Sequence, residues 1–318
     1  VHAPDPTDAQ LAAQSAAREA DQLLSEATAR LHAAGVPSPR VDAEILTAHV
    51  LGVSRGRLAA MALAGSAVPA SQADRITELI AERAERIPLQ HLTGLAPFRH
   101  LELRVGPGVF IPRPETEQVA QAALDQLGRM AAQRPASWRP RVIDLGTGSG
   151  ALAGAIAAEH PSAEVHAVEL SPQAAAWAQL NLDPLGVTLH QQDLREVPED
   201  WEASFDVVVS NPPYIPAGMV PREAEVRVHD PELALYGGGD DGLTMPRAVI
   251  ETAKRLLKPG GWFILEHAEA QADALAEHCR RDPRLSAVST HQDLTGRDRA
   301  TSAVADLDPA AVVEEWRA

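Results

Sequence analysis

The chain reads as an α/β protein, a doubly wound, mostly parallel seven-stranded sheet preceded by an N-terminal helical bundle. Three observations predict this. From residue 141 onward, short apolar runs alternate with helical stretches, which implies a parallel sheet covered on both faces. A glycine-rich turn, DLGTGSG at 144–150, follows the first of these runs. Ahead of them, over roughly the first 90 positions, apolar residues recur at helical spacing.

In the bundle, Thr7 and Gln10 of TDAQ have the spacing of a capping box. Leu24, Ala27 and Leu31 form a helical stripe that Gly35 and Pro37 end. Ser38-Pro39 opens a second helix carrying Val41, Ile45 and Ala48, and Ser71 with Asp74 caps another whose Ile76, Leu79, Ile80 and Ile87 face the bundle. Packing alone accounts for this region; no chemistry is required of it. After PLQHLTG, FRHLELRV alternates apolar and polar residues over 98–105 as a half-buried strand does, and GPGVFIP adds turn residues and a second short extended run. Pro114 suits the first position of a helix running to about Gln133, and QRPASWRP, 133–140, reads as a linker.

Five strands are then expected at RVIDLG, EVHAVEL, VTLHQ, FDVVVS and GWFILEH, with helices at ALAGAIAAEH, SPQAAAWAQLNL and LTMPRAVIETAKRLL. RLSAVSTHQ and RATSAVADL are candidates for two more strands at one edge. Three segments result: 1–90, 91–134 with a hairpin and connecting helix, and 135–318.

Composition narrows the function. The single cysteine, Cys279, excludes an internal disulfide and a thiolate zinc site, and twelve histidines lie scattered without ligand spacing. No stretch approaches the ~20 apolar residues of a membrane span. VHAPDPTDAQ is unlike a signal peptide, so a soluble, cytoplasmic protein is expected. The net charge of −16 divides unevenly: 1–134 holds 13 Arg against 15 Asp and Glu, whereas 135–318 holds 15 Lys and Arg against 29 acids. An acidic second part is a poor match for a phosphate backbone. It serves solubility or attracts a basic partner.

Gly146, Gly148 and Gly150 let the backbone turn tightly beside a ligand, next to the N–H donors of a helix N-terminus. Glu169 ends the second strand about 20 residues on, where a carboxylate accepts both ribose hydroxyls of an adenosine. G-x-G-x-G spacing, with Ser149 before the last glycine, no basic residue in the loop, and Asp193 placed for an adenine amino group, form the pattern of S-adenosylmethionine enzymes. A nicotinamide enzyme and a mere αβ turn are the alternatives.

SNPPYIP, 210–216, leaves the fourth strand at the same edge of the sheet. Asn211 brings a side-chain carbonyl, and the Pro212 carbonyl is a second acceptor with no N–H beside it. Two convergent acceptors suit the NH2 group of a planar amide or nucleobase, and Tyr214 offers a flat face for stacking. A rigid strand exit with a packed tyrosine is the plain structural alternative.

DLGTGSG, HAVEL and SNPPYIP, with PLQHLTG, VFIPRPETE, HDPELAL, DDGLTMPRAVIETAKRLLKPGGWFILEH and DLTGRDR, together resemble the HemK family, the N5-glutamine methyltransferases of peptide-chain release factors. The resemblance spans roughly residues 10–305; FIPRPETE combined with NPPY is its specific part, since NPPY alone is shared by adenine-N6 and other amino methyltransferases. It implies a methyltransferase sheet in 135–318 and S-adenosylmethionine as cofactor, leaving as S-adenosylhomocysteine. Gly146, Thr147, Gly148, Ser149, Gly150, Glu169, Asp193, Leu194 and Asn211 are implied to hold the cofactor. Asn211, Pro212, Pro213 and Tyr214 hold the glutamine, with Asn211, Pro212 and Tyr214 catalytic. Phe110 and the Pro112-Arg113-Pro114 turn lie beside the methionine end and the substrate entrance, unless Arg113 is tied to Glu115 or Glu117. DPAAVVEEWRA, after about Leu307, exceeds the family pattern.

The expected reaction is in-line methyl transfer to the side-chain amide of a glutamine in the Gly-Gly-Gln loop of a class 1 release factor. No strong base stands in the motif, so positioning and the two acceptors carry the catalysis. Residues 1–90 are the candidate for docking the factor. A monomer, without membrane or direct nucleic-acid binding, is expected. Two rivals are a nucleic-acid amino methyltransferase, disfavoured by acidity and only 11 aromatic residues, and a non-catalytic cofactor-dependent binding module.

Overall fold

The computed structural model describes residues 18–221 and 223–306; the TDAQ capping box and the tail after Leu307 lie outside them. Two compact units are present, one reaching to Gly94 and including Glu223–His229, the other formed by Leu95–Arg222 and the chain from Asp230.

The helical unit contains α1 (Ala20–Ala33), α2 (Pro39–Leu51), α3 (Arg55–Leu63) and α4 (Ala70–Ala84). Leu23, Leu31, Ala43, Leu46, Ile76, Leu79 and Ile80 pack into its core. The α1 stripe is buried as expected. In α2 the buried face is shifted from the expected one: Ala48 is buried as expected, but Val41 is 40% exposed and Ile45 half-buried, while Asp42, Ala43, Leu46 and Thr47 are buried. The cause is a buried ion pair. Arg83 Nε donates to Asp42 Oδ2 at 2.8 Å, which lets a carboxylate occupy a core position. Arg83 and Arg86 also clamp Glu225, at 2.9 and 2.7 Å, on the short helix Ala224–His229. α4 begins behind Pro69, so Ser71 and Asp74 lie inside the helix rather than capping it; Ile87 falls beyond its end. α3, capped by Ser54 accepting from the Arg57 amide, buries only Leu58, and its alanine-rich run shows no clear apolar stripe in the sequence.

The second unit opens with a hairpin, β1 (Leu95–Phe98) and β2 (Leu101–Arg104). The single strand expected over 98–105 is broken at Arg99, whose φ of +52° makes the turn. The run after it forms no strand, and the following helix, α5 (Thr116–Ala131), begins two residues beyond Pro114.

The central sheet comprises β3 (Arg141–Leu145), β4 (Glu164–Glu169), β5 (Thr188–Gln191), β6 (Phe205–Ser210), β7 (Leu257–Glu266), β8 (Leu285–Gln292) and β9 (Asp298–Ala305), in the order β8-β9-β7-β6-β3-β4-β5. Six strands point the same way, and β9, antiparallel to both its neighbours β7 and β8, is the exception. Between them run α6 (Ala151–Glu159), α7 (Pro172–Leu182), α8 (Thr244–Leu256) and α9 (Ala272–Arg280), the last of which the sequence pattern did not reveal. Alternate residues face opposite layers. Val142, Val207 and Val209 pack with Val119, Leu127, Leu152 and Ile156 of α5 and α6. Ile143, Leu145 and Val208 pack with Val249, Ile250 and Leu275 of α8 and α9. With both faces covered, the ligand-accessible edge of such a sheet is the carboxyl end of its strands, where chain order reverses between β3 and β6.

Candidate active site

That reversal places the ends of β3, β4 and β6 side by side. Ser210 Oγ donates to the Leu145 carbonyl at 2.6 Å, joining the last residue of β6 to that of β3 just where each strand enters its loop.

On one side of this point lies the glycine loop. Gly146, Gly148 and Gly150 all have positive φ, and a methyl group on Gly150 would stand 2.8 Å from Leu182 Cγ, so glycine is required there. The amides of Gly146 and Thr147 both donate to the Val168 carbonyl at 2.9 Å, and that of Gly150 to the Thr147 carbonyl. Gly148 N–H donates to Glu169 Oε2 at 2.8 Å, while Ser171 N–H donates to Oε1. The loop thus spends these amides internally, against the expectation that such donors face a ligand. Thr147 and Ser149 are buried; Asn181 bridges the Ser149 carbonyl to Arg104 of the hairpin. Beneath the loop, Asp144 Oδ2 accepts from Thr147 Oγ1 and the Ala153 amide, and its Oδ1 is buried with no partner. Burial pushes the Asp144 carboxyl up to about 7 and raises Glu169 as well. Asp193, at the exit of β5 beside the buried Leu194, is chelated by Arg195, whose hydrogen bonds hold the carboxylate below its usual range.

On the other side lies SNPPYIP. Asn211 Nδ2 donates to Thr116 Oγ1, at the start of α5, at 3.0 Å. Pro212 is buried, Pro213 half-buried. The half-buried Tyr214 points its hydroxyl at Glu266, the last residue of β7, with Oη 3.3 Å from Oε1. The backbone beyond is strapped down. Gln271 Nε2 donates to the Tyr214 and Asp241 carbonyls, each at 2.8 Å, and Gly237 N–H donates to the Ile215 carbonyl. The turn GGGDDG presses on this backbone so closely that a methyl group on Gly242 would stand 2.2 Å from the Tyr214 carbonyl oxygen.

Arg113 is tied neither to Glu115 nor to Glu117. Its guanidinium donates to the deeply buried carboxylate of Asp230 at 2.8 Å and lies 5.0 Å over the Phe110 ring, joining FIPRP to the HDPELAL segment. Thr116, Glu266, Gln271 and Asp144 were not singled out from the sequence. The signal for Glu266 was present, because it ends an apolar strand run as Glu169 does.

The arrangement sets the glycine loop and the SNPPY turn on either side of the β3–β6 switch point, with the loop amides already engaged. Two families match by profile: the PrmC N-terminal domain over residues 22–94 and a methyltransferase domain over 139–306. Curated relatives agree over nearly the whole chain. The release factor glutamine methyltransferase of Streptomyces coelicolor is 45% identical, covering 88% of this chain and 96% of its own. Those of Bifidobacterium longum and Mycolicibacterium smegmatis are 41% and 43% identical, covering 89% and 88% of this chain and 98% and 95% of theirs.

Proposed function

This chain belongs to the family of release factor glutamine methyltransferases, and we propose that it methylates the side-chain amide nitrogen of the glutamine in the Gly-Gly-Gln loop of a class 1 release factor. It is an S-adenosylmethionine-dependent methyltransferase by family. The observation that carries the substrate reading is the SNPPY turn, held rigidly at the carboxyl edge of the sheet with Asn211 fixed by Thr116.

The crevice fits the cofactor. A phosphate needs free amides or basic residues, whereas this loop has its amides engaged and places two carboxylates below and beside them. The orphaned Asp144 Oδ1 suits a cationic amine, and each Glu169 oxygen, having accepted one backbone amide, keeps a lone pair for a ribose hydroxyl. We assign Gly146, Thr147, Gly148, Ser149 and Gly150 to the floor of that site and Asp193 and Leu194 to its adenine end. There the adenine amino group has to share Asp193 with Arg195. Bound there, S-adenosylmethionine supplies an electrophilic methyl group on a sulfonium centre.

An amide nitrogen is a weak nucleophile because its lone pair is delocalised into the carbonyl. In this reading the Asn211 side-chain oxygen and the Pro212 carbonyl accept the two N–H groups of the glutamine, fix the nitrogen toward the methyl, and stabilise positive charge growing on it. Pro213 stiffens the turn, and the Tyr214 ring supports the flat amide. Phe110 and Arg113, braced by Asp230, border the entrance. The helical unit is the candidate docking body for the factor, and the acidic 135–318 segment favours a basic surface around its loop. The natural setting for such a reaction is the cytoplasm, with the enzyme acting as a monomer.

The test is incubation with methyl-labelled S-adenosylmethionine and fractionated cell protein or nucleic acid. Label confined to a protein of release-factor size supports the reading. Label in nucleic acid moves the enzyme to the adenine-amino class.

A further inference from the structure

Glu266 is 3% exposed and none of the groups assigned above to substrate or cofactor. Two hydroxyl side chains face it: Tyr214 Oη donates to Oε1 at 3.3 Å, and Thr116 lies on its other side, where it helps hold the carboxyl in its charged form. Thr116 Oγ1 in turn accepts from Asn211 Nδ2 at 3.0 Å. A hydroxyl has one proton. If Thr116 gives it to a carboxylate, Thr116 can only accept from Asn211, so the amide nitrogen faces Thr116 and the carbonyl oxygen faces away from it. The two ends of an asparagine amide are nearly identical in shape, and the polarity of a hydrogen-bond chain is what tells them apart.

We propose that Glu266 is a positioning residue for methyl transfer: its carboxylate, acting through Thr116 and Tyr214, turns the Asn211 oxygen and the Tyr214 ring toward the substrate amide. This rests on Asn211 being the substrate acceptor, as read above. The charged groups facing Glu266 are Arg299 from β9 and Glu115 from the start of α5, with Thr116 and Tyr214 as its polar neighbours. Burial outweighs the hydrogen bonds and Arg299, raising the Glu266 carboxyl to about 7. Its second oxygen, Oε2, is buried without a partner. A proton arriving on this group makes it a donor facing two donors, and the polarity of the chain is lost.

The experiment measures kcat and KM for intact release factor between about pH 5.5 and 8.5, with cofactor affinity by calorimetry. The parent should show an acid limb, its rate falling up to ~10-fold per pH unit below about 7. Glu266→Gln keeps the size of the side chain. It should lower kcat by ~10-fold or more at the pH optimum, change cofactor affinity by less than ~3-fold, and flatten the acid limb. Thr116→Val, which cuts the relay and leaves Glu266 in place, should match that loss, and the double variant should be no slower than the slower single one. If Glu266→Gln does not fold, Thr116→Val decides by the same kcat and affinity criteria. A kcat within ~2-fold of the parent, an unchanged acid limb, or a parallel loss of cofactor affinity overturns the proposal. Asn211→Ala separates the two levels. Should it lose cofactor binding rather than transfer, the substrate reading itself fails; should it lose transfer while Glu266→Gln and Thr116→Val behave as the parent, only the role of Glu266 fails.

Discussion

Glu169 accepts the Gly148 amide at 2.8 Å, so the acid that ends β4 also fixes the shape of the glycine loop that leaves β3. Its other oxygen holds the Ser171 amide, and the carboxylate is thereby aimed by two backbone donors rather than by a flexible side chain alone. In the proposed reading, loop shape and ribose recognition become one unit.

Glu169→Ala should therefore weaken S-adenosylmethionine binding by about 1.5–3 kcal/mol, the scale of hydrogen bonds to a charged group, and also lower the melting temperature, because two amides lose their acceptor. Glu169→Asp, one methylene shorter, cannot keep both amide bonds and should fall between. Calorimetry and a thermal melt on the three proteins check this. Unchanged affinity in Glu169→Ala would remove the carboxylate from the cofactor site.

Gly242→Ala tests the strap behind the SNPPY turn. With φ at +72° and a methyl 2.2 Å from the Tyr214 carbonyl oxygen, the backbone of either segment has to move. Overpacking of this kind costs about 1–3 kcal/mol, with a further ~1 kcal/mol for the left-handed backbone. Methyl transfer should fall at least ~10-fold while the glycine loop, on the other side of the crevice, keeps its cofactor affinity within a few-fold. Wild-type turnover in this variant would show that the strap does not set the position of Tyr214.

Glu225 carries the stability of the helical unit into a pH dependence. Burial pushes its carboxyl up, but hydrogen bonds from Arg86 and Arg83 outweigh this and hold it at about 2, below an ordinary 4.5. A depressed value means a contribution present above about pH 4.5 and lost as pH falls toward 2. Glu225→Ala should destabilise the unit by about 1–3 kcal/mol at neutral pH, read as faster hydrogen exchange in α4. The gap between parent and variant should shrink as the pH is lowered to 3. A gap that stays constant from pH 7 to 3 would assign the effect to packing, not to the ion pairs.

Docking by the helical unit predicts that a short Gly-Gly-Gln peptide is a far poorer substrate than the intact factor. Raising salt from 50 to 300 mM should also slow association with the factor, since the Debye length falls from about 14 to 6 Å. Equal turnover of peptide and factor contradicts docking; salt-independent association reduces the acidity to a solubility device.

The central strands were legible in the sequence because each is a short apolar or β-branched run between turn residues, as in a sheet covered on both faces; the edge strands Thr188–Gln191 and Leu285–Gln292 are mostly exposed or half-buried and were legible by their short length and β-branched residues. The places of Glu169 and Asn211 at the carboxyl edge were legible because one ends such a run and the other follows one. Asp42 was not, since a lone charge in a helix reads as solvent-facing until its partner, Arg83, 41 residues later, is brought to it by the fold. The same holds for Thr116 and Glu266: their partners lie 95 and 52 residues away in Asn211 and Tyr214, and no local spacing encodes that meeting. Helix α3 is hard to read because its alanine-rich segment carries little contrast between its faces, whereas α9 does have an apolar face, Ala272, Leu275, Ala276 and Cys279, but only over nine residues.

The measurement that bears most directly on the whole account is mass-spectrometric mapping of the methyl group after reaction of the intact enzyme with a class 1 release factor and isotopically labelled S-adenosylmethionine. The account predicts a single labelled methyl on the side-chain amide nitrogen of the Gly-Gly-Gln glutamine, absent from a factor with that glutamine replaced and at least ~100-fold slower to appear with Asn211→Ala. A methyl group on any other residue, or the same yield with Asn211→Ala, would contradict it.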